Sequence, residues 1–386
     1  MRILLLSLLL SASLGLRATE PVAVIPIKIV NEHIFFELKV NDSEPLSFVF
    51  DTGAAGNVMS DKTADKLGLE RTGKQYVQGA SGVTSIESST NHGVSIEDIT
   101  IKGIDFMVMD LDHLGDEDAT VDGIIGATIL YRYVVELNYD EMEIRLYQRK
   151  GYTPLEGWTK QRISLQGFRI PIVQATINLP NGESLTGPYL VDTGAATTVK
   201  FNTPFVNGNG LIDKMGKHYA YSSRTLSKTA TDEVSRLPSY EVFGHTFKDI
   251  SVRLSQGTQG VSAMTQVDGI LGLSILKRFN TVYDYYNQAM YLSPSRHYKE
   301  HFRFNHDGMK IEKQDGAFKV TAVFPDSPAE AAGIQAGDVI VSIDNKRDFT
   351  RHEFHNYFEE IKVKVLVKLN RDGKSLTVKL TPKSML

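Results

Sequence analysis

This 386-residue chain has no cysteine, which excludes a disulfide framework and a lipid-modified cysteine. It has little excess charge of either sign: 42 Lys and Arg stand against 46 Asp and Glu, a net charge of −4. That balance leaves no electrostatic footprint for nucleic acid. Long apolar runs are also missing. Only Ile3–Leu10 is almost wholly hydrophobic, and it is too short to span a bilayer comfortably. Neither a Ser/His/Asp elbow, nor zinc-ligand spacing, nor a phosphate loop can be found. Low-complexity tracts are absent, and 41% hydrophobic with 23% charged residues is ordinary globular composition. The length suffices for two or three domains with their own cores.

The N-terminus does carry a signal. Met1-Arg2, the apolar stretch Ile3–Leu10 and the small residues up to Ala18 read as a secretory signal peptide over 1–18. A secreted or bacterial periplasmic location is expected, with no membrane attachment after cleavage. The acidic stretch Asp110–Asp118 lacks the glycine and terminal glutamate of a calcium loop and reads as a solvated loop. No metal and no cofactor is called for.

The most informative feature is a repeat. Asp51-Thr52-Gly53-Ala54-Ala55 recurs as Asp192-Thr193-Gly194-Ala195-Ala196, and each copy ends an apolar run, Leu46–Phe50 and Pro188–Val191. Each carboxylate is thereby placed where a buried strand enters a tight turn. One Asp-Thr-Gly arises by chance in on the order of one in ten chains of this length, but a matched pair does not. The repeat continues in Asp122-Gly123-Ile124-Ile125-Gly126 and Asp268-Gly269-Ile270-Leu271-Gly272, each followed by an expected strand, Met142–Tyr147 and Ala289–Leu292. Asp122 and Asp268 read as structural turn residues. Two facing carboxylates can share a proton and activate a water between them. Glycine after each aspartate lets backbone and a reacting carbonyl approach closely. Ala54 and Ala195, which follow the two motifs, offer no hydroxyl to the carboxylates.

At these residues the chain resembles the pepsin and retropepsin superfamily of aspartic peptidases, over roughly residues 22–295. The resemblance implies Asp51 and Asp192 as the catalytic pair, with Gly53 and Gly194 supporting them. It also implies that Thr52 and Thr193 hold the two loops together. Lobe one is expected over 19–155 and lobe two over 156–298. Gly79-Ala80-Ser81-Gly82 resembles the tip of the flap that closes over substrate in this family. The matching stretch Tyr219–Thr225 has no glycine, which points to a single-flap arrangement.

From about residue 301 the texture changes. Asp326–Asp344, with its two glycine turns, resembles the core of a bacterial PDZ domain, expected over 301–386. Thr350 and Glu353 form a capping box for a helix through Glu360, and Asp372-Gly373 reads as a hairpin turn. PDZ domains add a peptide strand to a sheet edge, often gripping its C-terminal carboxylate with loop amides. By position, Gly308, Met309 and Ile311 are the expected peptide-binding residues.

The expected fold is mainly β: a bilobal, pepsin-like double-β-barrel aspartic protease fold plus an α+β PDZ domain. The expected function is that of an aspartic endopeptidase acting on polypeptides, with the PDZ aiding substrate choice and protein C-termini as its partners. The alternative is a non-catalytic protein that holds peptides in the lobes and the PDZ groove. Retention of both aspartates, both threonines and both glycines argues against it.

Overall fold

Short apolar segments broken by glycine and asparagine turns fold into strands, and the strands close into two barrels. The computed structural model describes residues 19–386 apart from 80–81, 116–118, 166, 168, 225–228 and 361–362. The expected signal segment 1–18 lies outside the described residues.

The first lobe contains β1 (Ala23–Pro26), β2 (Lys28–Val30), β3 (His33–Val40), β4 (Leu46–Phe50), β5 (Asn57–Ser60) and α1 (Asp61–Lys66). It continues with β6 (Gly73–Gly79), β7 (Gly82–Ile96), β8 (Ile99–Met109), β9 (Gly123–Ile125), α2 (Ala127–Leu130), β10 (Val134–Asn138) and β11 (Glu143–Tyr147). Six strands, in the order β3-β4-β9-β5-β8-β7, form a barrel that closes through Lys39↔Ser95 and Val40↔Val94. Alternation sets the faces: in β3, Phe36, Leu38 and Val40 are buried, whereas Glu37 and Lys39 face solvent. The helix α1 follows Ser60 and stops before Gly68 at φ +64°, although the Ser60 hydroxyl makes no capping bond.

The second lobe repeats the plan with β12 (Thr159–Arg162), β13 (Ile172–Asn178), β14 (Ser184–Val191), β15 (Val199–Phe201), α3 (Thr203–Gly208) and α4 (Leu211–Met215). Then come β16 (His218–Arg224), β17 (Thr229–Val242), β18 (His245–Ser255), β19 (Gly269–Leu271), α5 (Leu273–Leu276), β20 (Phe279–Asp284) and β21 (Ala289–Pro294). The order β13-β14-β19-β15-β18-β17 is that of the first barrel, and pairing of β17 with β13 closes it. A further six-stranded sheet, β1-β11-β10-β20-β21-β12, joins the lobes where Val135, Glu136 and Leu137 pair with Tyr283, Val282 and Thr281. One apolar core runs through both lobes, with Phe36, Phe48 and Phe50 on one side and Tyr189, Phe201 and Tyr240 on the other.

The C-terminal domain is a five-stranded antiparallel sheet in chain order: β22 (Met309–Gln314), β23 (Ala317–Val323), β24 (Val339–Ile343), β25 (Val365–Arg371) and β26 (Lys374–Leu380). Two helices pack with it, α6 (Pro328–Ala331) and α7 (Arg351–Glu360), around a separate core of Phe318, Val320, Phe354 and Phe358. The capping box is formed: Glu353 N–H donates to Thr350 Oγ1 at 3.1 Å, and Thr350 N–H to Glu353 Oε2 at 2.8 Å. Asp372 and Gly373, both at positive φ, turn β25 into β26.

Candidate active site

Each aspartate is held at the end of its strand by the glycine-flanked strand beneath it. Asp51 N–H donates to the Ile125 carbonyl and Asp192 N–H to the Leu271 carbonyl, both at 3.0 Å. The glycines of those strands are needed for close approach. A Cβ on Gly126 would lie 1.8 Å from the Asp51 carbonyl oxygen, and one on Gly272 would lie 2.2 Å from that of Thr197. The Asp122 carboxylate accepts from Ser47 N–H and from the Thr63 hydroxyl, so it ties β4 to α1.

The threonines lace the loops together. The Thr52 hydroxyl donates to the Val191 carbonyl at 2.9 Å, and that of Thr193 to the Phe50 carbonyl at 3.1 Å. Each hydroxyl also accepts the backbone N–H of the other threonine at 3.0 Å. Both threonines are fully buried.

This lacing brings Asp51 and Asp192 into side-chain hydrogen-bonding contact. The motif glycines matter for a reason that differs from the sequence expectation. A Cβ on Gly53 would lie 2.4 Å from Asp192 Cγ, and one on Gly194 the same distance from Asp51 Cγ. Each glycine thus makes room for the opposite carboxylate. Their amides serve the carboxylates too: Gly53 N–H donates to Asp51 Oδ1 at 2.7 Å, and Gly194 N–H to Asp192 Oδ1 at 2.9 Å.

The pair is electrostatically uneven. Burial, with the neighbouring Asp51 charge, pushes Asp192 well above the usual carboxylate range. Burial also raises Asp51, but hydrogen bonds from Asp192 and the Gly53 and Gly194 amides, and the proximity of His33, oppose that rise. Two buried carboxylates in contact titrate as one unit and share a proton between them.

His33 and Glu32 are site neighbours that the sequence reading missed, because nothing in Asn31-Glu32-His33 distinguishes it from an ordinary turn. His33 Nδ1–H donates to the Asn31 carbonyl at 2.9 Å, and burial lowers its pKa despite the nearby Asp51 charge. Glu32 reaches the other lobe, 3.0 Å from Lys277 Nζ and 3.1 Å from Ser274 Oγ. Burial alone would raise Glu32, but those partners outweigh it and its pKa is lowered.

The expected flap lies on the β6–β7 hairpin, whose pairing runs from Gly73↔Ser88 to Gly79↔Gly82. Ala80 and Ser81 lie outside the described residues. The second lobe builds a hairpin at the corresponding place, with β16 and β17 paired from His218↔Ser235 to Arg224↔Thr229. The ladder along both strands sets this hairpin, so it does not depend on a tip glycine.

Of the PDZ residues expected to bind peptide, Met309 and Ile311 lie on the edge strand β22 and Gly308 precedes it. Met309 and Ile311 are buried in that domain's core. Gly308 N–H already donates to Asn305 Oδ1 at 2.6 Å, and Met309 N–H to Asp307 Oδ1 at 2.8 Å. Among the described residues, no three His, Asp or Glu side chains converge to hold a metal ion.

Comparison with known proteins agrees with this architecture. Residues 36–129, from β3 to α2, match the family profile described as aspartyl protease, and residues 308–381 match that of the PDZ domain. A search of curated proteins gave no match. The two closed barrels match a double-barrel protease fold, and a PDZ domain follows them.

Proposed function

We propose that the chain is an aspartic endopeptidase. The observation that carries this reading is the crossed packing of Asp51 and Asp192, each against the other loop's glycine. The ionised member of the pair acts as general base and takes a proton from a water between the carboxylates. The protonated member donates to the scissile carbonyl oxygen as the tetrahedral intermediate forms. Collapse then breaks the C–N bond while a proton passes to the amine. In this reading the hairpins β6–β7 and β16–β17, one per lobe, cover a bound peptide and exclude water.

In this reading 1–18 directs export, which N-terminal sequencing of the mature protein would test. The central test is incubation of the purified chain with a mixed peptide library, read by mass spectrometry for new termini. Asp51→Asn and Asp192→Asn should each remove nearly all cleavage while leaving the fold intact. Near-normal turnover by either variant would overturn the shared-proton pair, and intact binding without any cleavage would favour the peptide-holding alternative.

A further inference from the structure

A cavity of about 370 Å³ lies between the PDZ domain and the second lobe. On one side it is lined by Lys310 of β22 and by His355 of α7, and on the other by Tyr219, Tyr221 and Arg253. Thr197 and Thr198, a few residues beyond Asp192, form part of the same wall. The two walls are fixed together next to the cavity: the Phe324 ring packs on Tyr219 and Tyr221 at 5.2 and 5.9 Å between centroids.

Two properties of the cavity select its occupant. The strand β22 is the edge of its sheet, hydrogen-bonded to β23 on one side, so its other side can accept an added strand. The lining also carries the cations Lys310 and Arg253, which lie over the Tyr221 ring at 6.0 and 4.8 Å, whereas Lys277 is paired with Glu32 at 3.0 Å and Arg278 is bound to backbone carbonyls.

A free chain end is disfavoured by the loop before β22. Its Gly308 and Met309 amides already donate to Asn305 and Asp307. Asp307 is 1% exposed, and its second oxygen lies 2.9 Å from His355 Nδ1. The Met309 amide is therefore already taken by the chain's own carboxylate, beside which a second buried negative charge is costly. Asn305 is held in turn, since its carbonyl accepts Met385 N–H at 2.9 Å.

We propose that this cavity binds an internal, acidic, extended stretch of a polypeptide by strand addition to β22, and not a C-terminus. Acidic side chains of the occupant face Lys310 and Arg253, and its backbone completes the edge of the PDZ sheet. Binding here does not depend on the catalytic reading.

The test uses the full chain carrying Asp51→Asn, so that peptides survive, and fluorescence anisotropy with short fluorescein-labelled valine–glutamate peptides. A peptide blocked at both ends should bind within about twofold of the same peptide with a free C-terminal carboxylate. Replacing its glutamates by glutamine, or raising NaCl to about 0.5 M, should each weaken binding about tenfold. Lys310→Glu, on a partly exposed side chain, should do the same, and Asp307→Asn should improve binding of the free-ended peptide relative to the blocked one. A preference of about tenfold or more for the free carboxylate in the chain with Asp307 intact would overturn the proposal. So would affinity unchanged by Lys310→Glu, which would place the peptide elsewhere, and so would absence of binding.

Discussion

Thr52 and Thr193 each accept the other's backbone N–H at 3.0 Å, a reciprocal pair of bonds between residues 141 positions apart. Each hydroxyl also donates to a strand carbonyl of the opposite lobe. Four hydrogen bonds, all buried, thus fix the spacing of the two aspartates next to them. Replacing Thr52 by Val would strand the Thr193 amide and the Val191 carbonyl away from water. The expected cost is about 3 kcal/mol from two buried groups left unpaired, whereas Thr52→Ser should keep most of the stability. Urea denaturation of the two variants checks this, and equal losses would show that the hydroxyl bonds are not the cause.

Gly53 contributes through the space it leaves. With a Cβ 2.4 Å from Asp192 Cγ, Gly53→Ala must push the carboxylates apart. A displacement of that kind should lower kcat about 100-fold or more. Gly68 supplies the contrast, since a Cβ there meets open space. Its φ of +64° makes Gly68→Ala cost about 1 kcal/mol of stability with little effect on turnover. Parallel kcat and melting measurements would separate the two effects.

Much of this was legible in the sequence, and the residues show why. The aspartate repeat, the Thr350–Glu353 capping box and the Asp372-Gly373 turn are local patterns, and local patterns have local causes. The β10–β20 pairing that joins the lobes and the second-lobe hairpin were not legible, because register across distant strands leaves no short motif. The same holds for Asp307. As a sequence letter it belongs to a loop expected to receive a carboxylate, and only its burial against His355 shows that it supplies one.

The raised pKa of Asp192 makes a prediction about pH and stability with a definite sign. A folded state that holds this proton more tightly than the unfolded chain is favoured fully below the ordinary value of 3.8. That contribution fades as pH rises through the higher folded value. Asp192→Asn removes the dependence, so the variant should become progressively more stable than the parent as pH rises above the ordinary aspartate range. Melting temperatures of both proteins across that range test it, and a constant difference would contradict it. In the proposed function, activity needs one proton and one charge on the pair, so kcat should decline on the alkaline side only above the ordinary carboxylate range. A profile peaking near pH of about 2 would contradict the shift.

The segment between the second lobe and the PDZ domain belongs physically to the lobe. Arg278, 3% exposed, donates through one guanidinium nitrogen to the Tyr298 carbonyl at 2.9 Å and to the Glu300 carbonyl at 2.7 Å. Its guanidinium also lies 3.7 Å from the Phe302 ring centroid. Tyr298 is fixed in addition by its hydroxyl, 2.7 Å from His245 Nδ1. A chain ending at Ser295 would leave the Arg278 cation without these acceptors, and stripping the partners from a buried charge costs about 3–5 kcal/mol. A chain ending at Phe304 retains them and loses only the PDZ domain. The longer truncation should therefore melt near the parent temperature and, in the proposed function, still cut a short peptide. The shorter one should unfold at markedly lower urea. Equal stability of the two would show that residues 296–304 serve only as a tether.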